Sequence, residues 1–244
     1  MPLFVIVTVF CLFTAVEARG GDSWQWSLTP YIWATDIRED VTLNGRVVGG
    51  GDTEFDDLVD IVEASYQLRF EGMREHWGLF ADVSSVELSD SVSGEYGFAR
   101  LDVDYEELVI DAGAIYRPGG RSGNLELLVG VRSFAFDQDY RLRVADGSPR
   151  DVSVDEDYLD FLMGARYRIP LSQRWAISLG GNVSTGGTDH ILTAQGLLGW
   201  RFGANRNSAV FAGYRYRELE YTKAEVLEDR KTLSGFGLGV KFGF

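Results

Sequence analysis

The sequence predicts an all-β fold: a closed antiparallel up-and-down β-barrel of about ten strands, with eight or twelve as alternatives. Three observations predict it. From Trp24 onward, segments of roughly 10 to 16 residues alternate in polarity with a period of two and are parted by turn residues. Glycine is abundant at 29 of 244 residues and aromatics reach 13%, against 5 prolines. Beyond the N-terminus no apolar run approaches the roughly 18 residues that a membrane-crossing helix needs.

The N-terminal segment stands apart from this pattern. Leu3 to Val16 is apolar, and Val16-Glu17-Ala18 puts small residues where a signal peptidase reads. Residues 1–18 therefore read as a signal peptide cleaved after Ala18, although no Lys or Arg precedes the apolar core, and 19–244 as a single barrel domain. Cys11, the only cysteine, lies inside the signal. A mature chain without disulfides must draw its stability from elsewhere, and a closed sheet is one source. The formal charge of −14, or −13 once Glu17 is removed, excludes nucleic acid as a partner, because no basic stripe is available to neutralise phosphates.

Strands are predicted at 24–35, 61–75, 77–89, 102–116, 123–138, 157–169, 174–184, 189–203, 207–218 and 230–244. The last is the clearest. Phe236, Leu238, Val240, Phe242 and Phe244 alternate with Gly235, Gly237, Gly239, Lys241 and Gly243. A soluble sandwich would put solvent-loving side chains on the second face. A bare glycine face instead suits close approach by other side chains. Val62, Ala64, Tyr66, Leu68 and Phe70 alternate with Glu63, Ser65, Gln67, Arg69 and Glu71. Similarly, Leu159, Phe161, Met163, Ala165, Tyr167 and Ile169 alternate with Asp160, Leu162, Gly164, Arg166 and Arg168. A lipid-facing band around a charged interior accounts for both faces.

Connections alternate in length. Those near Glu75-His76, Arg117 to Ser122, Pro170 to Gln173 and Gly203 to Asn207 are short, and 36–60, 90–101, 139–156 and 219–229 are longer, with 185–188 the exception. Short periplasmic turns and longer outer loops follow from an even strand number. Trp24, Trp26, Trp77, Trp175 and Trp200 gather at the short-turn ends with Phe70, Tyr116, Tyr167, Phe202, Phe242 and Phe244, as an interfacial girdle requires, and Trp33 is expected near the other rim. The outer loop 36–60 is acidic, and the short turns carry Arg74, Arg117, Arg121, Arg174 and Arg206.

The terminal Gly239-Val240-Lys241-Phe242-Gly243-Phe244, with aromatics at its last position and two before it, resembles the final strand of outer-membrane barrels that their assembly machinery reads. Gly237 departs from that pattern, where a polar residue is common. At the level of architecture the whole mature chain is similar to small Gram-negative outer-membrane barrels of the porin-like group. That resemblance implies residence in the cell outer membrane, contact with its lipid and lipopolysaccharide, and insertion by the barrel assembly machinery, with Gly239, Phe242 and Phe244 as the assembly signal.

Candidate chemistry is sparse. Inward-facing Glu63, Arg69, Glu71, Asp82, Glu107, Asp111, Glu126, Arg132, Asp160, Arg166, Arg168, Arg201, Arg215, Arg217 and Lys241 read first as an interlocked charge network filling the lumen, because buried charges must be paired. A narrow passive pore is the sharper alternative. His190, near Ser184, Thr185, Thr188 and Asp189, is the one histidine placed for an outer-rim hydrolase acting on lipid A or peptide. Val48 to Asp60, with Asp52, Glu54, Asp56, Asp57 and Asp60 after a glycine triplet, offers oxygen ligands to divalent cations or a short amphipathic helix over the mouth. The expected function is a non-enzymatic, surface-exposed structural barrel with no cofactor and no metal centre. Alternatives are the hydrolase and a secreted soluble β-barrel binder.

Overall fold

The computed structural model describes residues 23–43, 46–53, 62–93, 99–144, 150–204, 206–223 and 227–244. The expected signal peptide, with Cys11, lies outside them. Among the described residues eleven strands form: β1 (Gln25–Leu43), β2 (Arg46–Thr53), β3 (Val62–Arg74), β4 (Trp77–Ser93), β5 (Ala99–Tyr116), β6 (Leu125–Val144), β7 (Arg150–Pro170), β8 (Trp175–Thr185), β9 (His190–Phe202), β10 (Ser208–Lys223) and β11 (Leu227–Gly243). All except β2 are consecutive antiparallel neighbours, and β11 pairs back onto β1, closing a ten-strand barrel. Trp26 and Phe244 exchange backbone hydrogen bonds of 3.0 and 2.9 Å at that seam.

Strand β1 serves two neighbours on its other edge. Its first part, Gln25–Pro30, pairs with β3, and its last part, Ile37–Leu43, turns back on β2. The segment expected to begin an outer loop is thus a β-hairpin, with residues 46–53 as its second strand, while the stretch from Phe55 to Val59 read as a short amphipathic helix lies outside the described residues. Residues 54–60 lie outside the described set. The other outer connections are corrected in the same sense. β4 to β7, β10 and β11 run 16 to 21 residues, whereas about 9–11 tilted residues suffice to cross a bilayer. In β4, β6, β7, β10 and β11 the strand read from the sequence stopped near the edge of the apolar band while the backbone ladder continued beyond it.

Facing outward around the wall is a continuous apolar belt that includes Leu68, Leu79, Ile110, Val129, Phe161, Leu198 and Leu238, with Phe236 74% exposed and Phe161 50%. A soluble monomer rarely exposes a contiguous apolar surface of this extent. Below the belt, at the short-turn end, stacked Trp24, Trp26 and Phe70 and the tilted Trp77–Tyr116 pair mark one rim. Trp33 departs from expectation. It turns into the lumen and donates its indole N–H to the Gly235 carbonyl at 3.3 Å.

Candidate functional site

The lumen is built from every second residue of each strand, and its charges come in paired tiers. At the turn end, Glu71 of β3 meets Arg69 at 2.8 Å, Arg166 at 3.0 Å and Lys241 at 3.4 Å. Glu126 of β6 accepts from Arg166 Nε at 2.6 Å and from Arg117 Nε at 3.0 Å. Arg117 was expected as a turn charge. It instead folds inward, since Glu126 lies buried directly above the turn. Arg168 and Arg201 are partly buried beside this tier.

In the middle, Arg132 is fully buried and grips Asp111 with two hydrogen bonds of 2.7 Å each. Its remaining donors reach Asn182 at 3.0 Å and Ser184 at 3.3 Å. Asp160 accepts from the Ser184 hydroxyl at 2.9 Å, the Thr188 hydroxyl at 2.6 Å, and the backbone N–H groups of Thr188 at 2.9 Å and Gly187 at 2.8 Å. This carboxylate therefore pins the short β8–β9 turn to β7. Asp82 joins Arg69 at 3.0 Å and accepts from the Tyr31 hydroxyl at 2.7 Å.

Nearer the outer end, Glu107 accepts from the Tyr105 hydroxyl at 2.7 Å and faces Lys231 at 3.7 Å and Arg217 at 3.9 Å. Arg215 and Arg217 lie over the Trp33 ring at 5.2 and 5.4 Å, and Arg215 also donates to Gln195 at 3.0 Å. Beyond them Val109, Phe134, Phe136, Ile191, Leu219 and Tyr221 form an apolar layer inside the barrel. The cavity between Glu107, Arg132, Arg217 and this layer measures about 10 Å³, space for about one water. Gly239 leaves room for ring packing, since a Cβ there would sit 2.3 Å from the Phe211 ring. Phe242 and Phe244 face outward.

Of the residues singled out in the sequence, the side chain of Glu63 lies outside the described set, and its backbone falls at a register slip between Val62 and Ala64. Reading the sequence for charge alone missed Tyr31, Trp33, Tyr105, Ser184, Thr188 and Lys231. Lumenal parity could have flagged Tyr105, which shares a face with Glu107 two positions on.

The hydrolase candidates are not brought together. Ser184 is completely buried on the lumenal face between Arg132 and Asp160. His190, on the outer wall, points its Nε2 at Glu218 Oε1, 3.4 Å away. His76 binds the Arg117 carbonyl at the opposite end.

Outside, the register aligns carboxylates. Glu87, Glu106, Asp137 and Asp155 are successive cross-strand partners on β4 to β7. Loss of hydration, then the charge and hydrogen bond of Asp155 and the charges of Asp157 and Asp139, raise the Asp137 carboxyl above its ordinary range.

No family model and no curated relative matches the sequence. Among solved structures the chain is similar to the translocator domain of autotransporter NalP from Neisseria meningitidis, at 15% identity and a TM-score of 0.48 over 91% of this chain and 89% of that one. It is similar also to the outer membrane protease OmpT from Escherichia coli, at 10% identity and 0.48 over 94% and 100%. A third is the attachment invasion locus protein Ail of Yersinia pestis, at 10% identity and 0.37 over 91% and 99%.

Proposed function

We propose that this chain is a non-enzymatic, non-conducting barrel of a Gram-negative outer membrane, whose working surface is the part of the wall that rises beyond the lipid. The observation that supports the reading is the interlocked lumen: Arg132 binds Asp111 and Ser184, Ser184 binds Asp160, and an apolar layer lies beyond them. Ions crossing would have to displace these buried pairs, at a cost of several kcal/mol per ion. The exposed apolar belt supports lipid as its surroundings, because leaving such a surface in water is unfavourable by roughly 25 cal/mol per Å². Lipopolysaccharide then surrounds the outer half, and the aromatic-ended β11 is the segment for the assembly machinery to read.

Planar-bilayer recording tests the seal. The expected trace stays at baseline, and stepwise single-channel currents from the folded protein would reject it. Spin labels at Phe161, Leu198 and Leu238 test the setting. They should report lipid rather than water.

A further inference from the structure

His190 opens β9 on the outer wall. In the β9–β10 ladder its register partner is Glu220, and Glu218 lies two residues away on the same face. Cross-strand partners hold their Cβ atoms about 4.5–5.5 Å apart, so the three side chains converge. One ligand atom from each, an imidazole nitrogen and two carboxylate oxygens, all lie within 4.8 Å of one another. The His190 Nε2 to Glu218 Oε1 separation of 3.4 Å is long for a hydrogen bond. It is close to the edge of a tetrahedron whose centre lies about 2.0–2.1 Å from each corner, the distance at which zinc holds nitrogen and oxygen.

The other oxygen of each carboxylate already has a donor. The Tyr216 hydroxyl donates to Glu218 Oε2 at 2.6 Å. Arg230 donates to Glu220 Oε2 through Nε at 3.0 Å and Nη2 at 2.7 Å. Donors placed in this way orient metal-binding carboxylates and leave the second oxygen to the ion. Arg230 offsets one of the two negative charges, so a divalent cation meets one remaining carboxylate charge and the imidazole.

We propose that His190, Glu218 and Glu220 form a binding site for a divalent cation of the Zn²⁺ class, with a coordination position open to the outside of the barrel. The imidazole selects such an ion over Ca²⁺ or Mg²⁺, which favour all-oxygen sets. Leu192, the register partner of Glu218, belongs to the exposed apolar surface, so the open position sits at the upper edge of the belt. The site is separate from the lumen and stands whether or not the lumen conducts.

The test is calorimetric titration of the untagged, detergent-folded, EDTA-stripped protein with ZnCl₂, and separately with MgCl₂. Wild-type protein should take up one equivalent of Zn²⁺ with little response to Mg²⁺. H190A and E220Q should lose that equivalent, Y216F should weaken it by about tenfold, and H76A should bind as the wild type. Heat-modifiable migration on a gel establishes that each variant is folded. Absence of a Zn²⁺ equivalent in the wild type, or its survival in H190A, overturns the proposal.

Discussion

The two faces of β6 use the same acidic residue types in opposite ways. On the inner face, Glu126 and the neighbouring-strand Asp111 and Asp160 each sit against guanidinium, hydroxyl or backbone donors at 2.6 to 3.0 Å. On the outer face, Asp137 stands in a row with Glu106 and Asp155, and that row contains no cation. The difference is solvent. A carboxylate in an enclosed lumen loses its hydration and persists only with partners in place. On the outer wall, water and counterions screen neighbouring charges, so like charges stand in register at small cost.

That contrast can be broken most forcefully from within. Arg132→Met leaves Asp111 without its paired donors and Asp160 and Ser184 without their neighbour. The expected loss is about 3–5 kcal/mol of unfolding free energy, read from urea denaturation in detergent, and a loss below about 1 kcal/mol would show that the tier is not obligatory. A smaller effect comes from crowding the same space without touching charge. Gly239→Val drives a side chain into the Phe211 ring and should cost about 1–3 kcal/mol, with Phe211→Ala in the same chain recovering part of it.

The outer row should respond with the opposite sign. Asp137→Asn removes a repelling charge and should raise the urea midpoint slightly. Its carboxyl is raised in the folded state, so the folded form holds its proton to higher pH than the unfolded chain does. The linked stability is present below the unfolded value, about 3.9, and is lost as pH rises through the folded value. Acidification toward pH 4 should therefore raise the wild-type midpoint relative to Asp137→Asn, and parallel pH curves for the two proteins would remove Asp137 from the account. The smallest effect belongs to Arg38→Ala. Its pair with Asp52 at 2.7 Å joins side chains that are 66% and 65% exposed. The Arg38 hydrogen bond lowers the Asp52 carboxyl, but solvent screens the pair, and the midpoint should stay within error.

The barrel was legible because the lipid-facing half of each strand has a physical requirement, apolar every second residue, that no turn or helix reproduces. Phe236 to Phe244 and Leu159 to Tyr167 show it plainly. The outer extensions were legible only in part: the strand read at 102–116 reaches into one of them, but Asp151 to Glu156 was read as loop although β7 runs through it, because hydrogen bonding between backbones leaves no trace in side-chain type. Within the site, inward parity located Arg132 and Asp160, but which acid meets which arginine depends on register across strands distant in sequence. Trp33 was misplaced for a related reason. An amphipathic ring suits a lipid boundary and a guanidinium equally well, and only the pairing of β1 with β11 brings Arg215 and Arg217 beneath it. His190, Glu218 and Glu220 likewise meet only through the β9–β10 ladder.

The seam between β1 and β11 has a consequence for how such a wall is made. Its two edges belong to the earliest and latest strands in the order of the sheet, so every intermediate with fewer strands carries two raw edges and a half-enclosed set of charges. Arg215 reaches the Trp33 and Tyr31 rings, and Lys241 reaches Glu71, only across that joint. Clasping the ring and neutralising its contents are thus a single event, and a partly assembled arc should be short-lived unless something else holds its edges.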